Sequence, residues 1–142
     1  MLSDAPRPQP HRIEDSAMTA FARKIRPHVS SELDKAREAE TNGSPQDAFA
    51  HLERAHVLGQ ASTREHVRVH VEMLLWGIRN RSPREILGQV VRIVGAATKT
   101  FIGLVPDGNT GGANISAFRK LPVPDDLRRA IDRARLAPHE HA

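Results

Sequence analysis

The chain has 142 residues, a length typical of one small domain with a real core but little surplus. It contains four Phe, one Trp, no Tyr and no Cys. The lack of cysteine excludes disulfides and thiolate chemistry, so a transition-metal site here would have to use histidine and carboxylate ligands. A core built mainly from Ala, Val, Leu and Ile favours closely packed helices.

The formal net charge is +4 and the sequence pI is about 10.3, but acidic and basic residues are interspersed. We therefore expect no nucleic-acid partner, because phosphate binding needs a basic face and base stacking needs aromatic side chains. The start MLSDAPRPQP has no apolar signal-peptide core. The most apolar stretch, residues 86–105, is interrupted by Gln89, Arg92 and Lys99. These features predict a cytoplasmic protein without a membrane span.

Residues 1–17 are predicted to be a disordered extension, because their first fifteen carry three prolines, several charges and few apolar side chains. Helical periodicity follows over residues 16–26, and Pro27 either kinks this helix or opens the next one. That next helix is expected to end near Thr41, where Asn42-Gly43 predicts a left-handed cap.

Two further helices are predicted on either side of a short turn. The first covers residues 45–58, with Ser44 as its N-cap and proline in its first turn. The second covers residues 64–79 and restarts with a capping box formed by Ser62 and Glu65. Together they predict a helical hairpin.

The pattern of caps and apolar residues repeats after thirty-eight residues. One copy comprises Asn42, Ser44, Pro45, Asp47, Phe49, Leu52 and Arg54, and the other Asn80, Ser82, Pro83, Glu85, Leu87, Val90 and Arg92. The second copy predicts a fourth helix that runs from Ile86 to about Leu104. The predicted fold class is all-α, a small bundle of stacked helix-turn-helix pairs. The stacking is tetratricopeptide-like, although the Trp-Leu-Gly-Tyr signature of that class is absent.

An extended segment rich in Gly and Pro follows, and we interpret its residues 105–114 as an ordered connector. A phosphate-binding loop is not favoured, because no strand precedes the segment and no Gly-Lys-Ser follows it. A short last helix, residues 127–136, opens after two aspartates at its positive end. Residues 18–136 are thus predicted to form a single helical domain, and residues 137–142 a disordered tail.

Four of the eight histidines fall within the twenty residues HLERAHVLGQASTREHVRVH. In the predicted hairpin, His56 lies level with His66, and His51 lies level with His70. His66 and His70 share one helix face, whereas His51 and His56 diverge by about 140°, so that all four cannot point at one spot. The predicted convergent set is His66, His70 and one of the upstream pair. His56 has the better claim, because Glu53 adds a carboxylate on the same side.

This pattern predicts a site for a divalent transition metal, with His66, His70, His56, His51 and Glu53 as candidate ligands. Neutral imidazole suits zinc, nickel, copper and iron, and the spacing does not choose among them. Protons compete for the same nitrogens, so affinity is expected to fall below about pH 6.5. The alternative is that His56 and His70, which lie in apolar stripes, are core histidines bonded to neighbours.

The strings AFAHLERAHVLGQ, HVRVH, ILGQVVRIVGAATKT and VPDGNTGGANISAFRKLPVPDDL resemble the bacterial family DUF3703, a domain of unknown function. The resemblance covers roughly residues 30–127. It places His51, His56, His66, His70 and residues 108–114 at motif positions. The family has no established activity. Its members often occur beside heavy-metal transporters and metal-responsive regulators, which implies a role in metal handling.

Three functions stay open. The first is a non-enzymatic accessory protein that binds a transition metal on the hairpin. The second is a helical-repeat interaction module that binds a protein partner or a second copy on one face, with structural histidines. The third is a di-iron oxidase or hydroxylase, which is least favoured because Glu53-x-x-His56 has no second copy. We favour the first.

Overall fold

The computed structural model describes residues 10–97 and 121–136. Within these ranges the chain forms helices and no strand, which confirms the all-α prediction. The helices are α1 (Pro10–Thr41), α2 (Pro45–Gly59), α3 (Thr63–Arg79), α4 (Pro83–Ala97) and α5 (Asp125–Arg135). None of these described helices is both long and apolar enough to cross a membrane. The predictions for the connector at 105–114, the end of the fourth helix and the tail lie outside the described residues.

The first helix differs from the sequence-based expectation. It begins at Pro10, earlier than the predicted start near residue 16, and Pro27 lies inside it without opening a second helix. A proline in a helix interior costs about 3 kcal/mol. Each apolar side chain buried on this helix contributes about 1.5–3 kcal/mol. The buried stripe consists of Phe21, Ile25, Val29, Leu33 and Ala36. The stripe continues on both sides of Pro27, and the summed free energy of its burial exceeds the cost of a proline in the helix interior.

The helices pack in chain order, and the last one returns to the first two. α1 lies along α2, α2 and α3 form the predicted hairpin, α4 packs on α3, and α5 contacts α1 and α2. The core between them contains Ile25, Leu33, Leu52, Val69 and Met73. At one end of the hairpin, the ring centroids of Phe49 and Trp76 lie 4.5 Å apart. The tetratricopeptide-like character of this stacking remains a prediction.

The chemistry of the helix ends agrees with the sequence in two places and differs in one. Gly43 has a φ of +77°, the left-handed conformation predicted after α1. Ser62 caps α3, since its side chain accepts a hydrogen bond from the backbone N–H of Glu65 at 3.5 Å. Ser44 occupies the N-cap position of α2 but makes no side-chain capping bond. The predicted side-chain cap at Ser44 is therefore wrong, and Pro45 alone marks the start of that helix.

These two serines form a matched pair for a stability measurement. We expect Ser62→Ala to lower the free energy of unfolding by about 0.5–1 kcal/mol, because it removes a bond to an otherwise unpaired N–H of the first helical turn. Ser44→Ala should change it by a smaller amount. Urea denaturation of both variants and the wild type gives the comparison. Equal losses in the two variants would contradict the assignment of the cap to Ser62.

Candidate metal centre

Three of the predicted histidines converge where the hairpin closes. His56 lies in the last turn of α2, and His66 and His70 lie one turn apart on α3. The turn between the helices is tight, because a Cβ atom placed on Gly59 would lie only 3.2 Å from the Cβ of Glu65. Glycine at this position therefore allows the end of α2 to approach the start of α3. This approach brings the three imidazoles to one point.

The three rings meet through their Nε2 atoms. Nε2 of His66 lies 2.9 Å from Nε2 of His56 and 2.9 Å from Nε2 of His70. The ring centroids are separated by 4.6 to 4.7 Å. The side chains are fully enclosed, with 1%, 1% and 2% of the surface of His56, His66 and His70 exposed. The arrangement is a buried cluster of three nitrogen donors whose ligand atoms all lie within 4.8 Å of one another.

The spacing of these donors suits a metal ion. Zinc binds imidazole nitrogen at about 2.0–2.1 Å, which places two ligands of a tetrahedral site about 3.3 Å apart. The observed separations of 2.9 Å are shorter than this distance. A rotation that moves each ring outward by a few tenths of an ångström would accept the ion.

The contacts within the cluster cannot all be hydrogen bonds at the same time. Nε2 of His66 can carry one hydrogen at most, so it can donate to only one of the two nitrogens beside it. Nδ1 of the same ring is buried, and in the described part of the chain it has no hydrogen-bond partner. A buried polar atom without a partner costs about 1–3 kcal/mol. A cation held by the three lone pairs would replace the contacts that the hydrogens cannot satisfy.

Burial keeps these imidazoles in the form that binds metal. It lowers the pKa of His66 to about 4. It also lowers the pKa of His70 to about 3, with a further lowering by the neighbouring His66 and by Arg92, although the hydrogen bond that His70 makes to the carbonyl oxygen of Gln89 acts in the opposite direction. Both rings are therefore neutral at pH 7. Proton competition at these two ligands should begin well below the pH of about 6.5 that unperturbed histidine implies.

The other two candidate ligands lie elsewhere. Nδ1 of His51 is 2.8 Å from Oε2 of Glu32, a buried carboxylate that also accepts hydrogen bonds from Lys35 and Arg54. Burial alone would raise the pKa of Glu32, but these three hydrogen bonds outweigh it and hold the pKa below its usual value. Glu53 is half-buried on α2 and falls outside the group of three histidines. As metal ligands, His51 and Glu53 remain predictions.

Sequence reasoning missed the residues that support His70 from the far side. Nδ1 of His70 lies 2.6 Å from Oε1 of Gln89, and the amide nitrogen of Gln89 donates to Oε1 of Glu85. Gln89 is completely buried and Glu85 nearly so. The available signal was a pair of polar residues four apart in an otherwise apolar helix. In the sequence, Gln89 served only as evidence against a membrane span, and Glu85 only as part of the repeated cap pattern.

The chain matches the model of a known protein family. The family model described as "Protein of unknown function (DUF3703)" matches residues 23–131, a range that contains the hairpin and all three clustered histidines. It confirms the family resemblance drawn from the motifs. No curated protein and no solved structure matches the chain.

The lowered pKa values predict an acid-sensitive fold in the metal-free protein. Below about pH 6.5 the unfolded chain takes up protons at histidine that the folded chain excludes, so stability should fall as the pH decreases. Carboxylates with lowered pKa, such as Glu32 and Glu40, add to the loss only below about 4.5. Between pH 6.5 and 4.5 the histidines should account for a loss on the order of 3 kcal/mol.

Urea denaturation at several pH values measures this slope. His70→Leu should flatten part of it, whereas His28→Gln, at an exposed site on α1, should leave it unchanged. A wild-type stability that does not vary between pH 6.5 and 4.5 would show that the buried imidazoles take up protons as readily as free histidine.

Proposed function

We propose that this chain, which belongs to the family described as "Protein of unknown function (DUF3703)", is a non-enzymatic protein that binds a divalent transition metal. The ligands are the Nε2 atoms of His56, His66 and His70. The observation that carries the proposal is the convergence of three buried nitrogens on one point, where His66 Nε2 faces two others at 2.9 Å.

The chemistry of the donor set limits the ion. Three neutral imidazoles suit zinc, nickel, copper or iron and give little affinity for magnesium or calcium, which prefer oxygen ligands. The cluster lies in the core of a helical hairpin, so that the ion is held by a rigid scaffold. An accessory role in transition-metal handling agrees with the role that the family resemblance implies.

Two features support binding over catalysis. Each of the three ligands has 2% or less of its surface exposed, which leaves a substrate no approach to the bound ion. Within the described residues, the cluster that could hold an ion contains no carboxylate. A di-iron centre needs several carboxylates around two ions, so an oxidase or hydroxylase receives no support from this geometry.

Zinc titration of single variants tests the proposal. It also tests whether His51 and Glu53 act as ligands. His56→Ala, His66→Ala and His70→Ala should each weaken zinc binding by more than about 100-fold, since a direct ligand should matter more than the 10–100-fold of an outer partner. His51→Ala and Glu53→Gln should retain wild-type affinity, and so should His28→Ala.

The pH dependence of wild-type binding adds a second readout. Affinity should stay nearly constant from pH 8 to pH 5 as far as His66 and His70 are concerned, because their pKa values are about 4 and about 3. Wild-type protein that binds no stoichiometric zinc, nickel or copper would end the proposal. A loss of zinc affinity caused by His51→Ala or Glu53→Gln would instead show that the site includes residues farther along α2.

A second candidate function, protein–protein interaction, is favoured by one face of α4. Its outward stripe is apolar and exposed, with 68% of Leu87 and 61% of Val94 accessible. The same stripe includes Val90 and Val91. Solvent-exposed apolar stripes of this kind are typical of surfaces that bind another helix. The partner could be another protein or a second copy of this chain.

Self-association is the simplest form of this second function to test. If copies meet through α4, the wild type should show a concentration-dependent sedimentation coefficient, and the double variant Leu87→Lys with Val94→Lys should sediment as a monomer. Met18→Lys, an exposed apolar site on α1, serves as the matched control. A wild type that sediments as a monomer at every concentration would contradict self-association through this face.

A further inference from the structure

The fourth helix is oriented with its polar side inward. Glu85, Gln89 and Arg92 follow one another at intervals of four and three residues, which places them on one stripe of α4. Glu85 and Gln89 are buried, and Arg92 is half-buried. Buried polar side chains cost free energy unless their hydrogen bonds are satisfied. A helix that also has an apolar side would turn its polar side inward only if a polar partner lay beneath it. His70 is such a partner.

The packing of α3 on α4 is close enough for this contact. A Cβ atom placed on Gly77 would lie 3.3 Å from the Cβ of Glu85, 3.3 Å from Cγ1 of Ile86 and 3.3 Å from its backbone nitrogen. Glycine at this position lets the two helices approach. The approach allows the Gln89 amide to reach His70, seven residues before Gly77 on α3.

The direction of the hydrogen bonds follows from the chemistry of Glu85. The Gln89 amide donates from its NH₂ group to Oε1 of Glu85, which turns the amide nitrogen toward Glu85. Its carbonyl oxygen lies 2.6 Å from Nδ1 of His70, and because a carbonyl oxygen can only accept, Nδ1–H of His70 is the donor of this contact. The hydrogen of the neutral ring is therefore on Nδ1. The lone pair on Nε2 points toward His66.

We infer that Gln89 and Glu85 are positioning residues that hold His70 in its metal-binding tautomer. This inference rests on the proposed function and names the outer contacts of the same site. The Glu85 carboxylate lies at the far end of the relay, where its charge fixes the orientation of the Gln89 amide. The guanidinium of Arg92 is attracted to Glu85 and partly balances its negative charge. Outer partners of this type typically change metal affinity by about 10–100-fold.

Three substitutions separate the parts of the relay. Gln89→Leu removes the acceptor for His70 and should weaken Zn²⁺ binding by about 10–100-fold. Glu85→Gln keeps the size of the side chain, removes its charge and should weaken binding in the same direction. Gln89→Glu places a carboxylate directly on Nδ1 of His70 and should bind Zn²⁺ at least as tightly as the wild type. Glu40→Gln, which removes a carboxylate paired with Arg79 on another surface, should leave affinity unchanged.

The tautomer itself is read by nitrogen NMR of the metal-free protein, independently of any metal. In the wild type, His70 should carry its hydrogen on Nδ1, and Gln89→Leu should lose this preference. Gln89→Glu should retain it, so the measurement stands even if the leucine variant does not fold.

Two results would overturn the inference. One is a wild-type His70 protonated on Nε2. The other is a folded Gln89→Leu protein with wild-type tautomer and wild-type Zn²⁺ affinity. Wild-type protein that binds no Zn²⁺, with His70 still protonated on Nδ1, would overturn the proposed function but leave the role of Gln89 and Glu85 in setting the tautomer supported.

Discussion

The site depends on one constraint, the limit of one hydrogen bond for each imidazole nitrogen in a cluster of three buried rings. His66 Nε2 faces two other ring nitrogens at 2.9 Å but can donate to only one of them. In water such rings would separate and be solvated. Here the tight turn at Gly59 and the burial of the hairpin hold them together, and His66 Nδ1 is left without a partner among the described residues. Either the packing of the surrounding core or a bound ion must supply the free energy that holds the three rings together.

The orientation of α4 follows from the same constraint. His70 needs an acceptor for Nδ1–H, and Gln89 with Glu85 provides it from the inner side of the helix. Because that side is polar, the apolar residues of α4, such as Leu87 and Val94, face outward. The hydrogen-bond requirement of the site and the exposed apolar stripe are two consequences of one helix rotation. A metal-binding function and an interaction function are therefore compatible in this chain.

Local features of the fold could be predicted from the sequence, and long-range features could not. Helical periodicity and the Ser62 capping box placed the α2–α3 hairpin correctly, and side-chain angles separated His51 from His56. The relay from His70 to Gln89 was missed because it joins residues nineteen positions apart on different helices, and no local pattern encodes that pairing. The sequence left two roles open for Pro27 for a related reason, since burial of α1 against the rest of the core overrides the local helix-breaking preference of proline.

The four histidines of the hairpin show how environment divides one residue type between two tasks. His51 bonds to the carboxylate of Glu32, beside Lys35 and Arg54, at a partly exposed junction of α1 and α2. His66 and His70 are enclosed, and burial lowers their pKa values to about 4 and about 3. A carboxylate partner suits a residue that joins helices through a hydrogen bond, whereas exclusion of protons suits one that offers a lone pair. The spacing of the four residues placed them on one hairpin, but only the packing around each ring decides which task it performs.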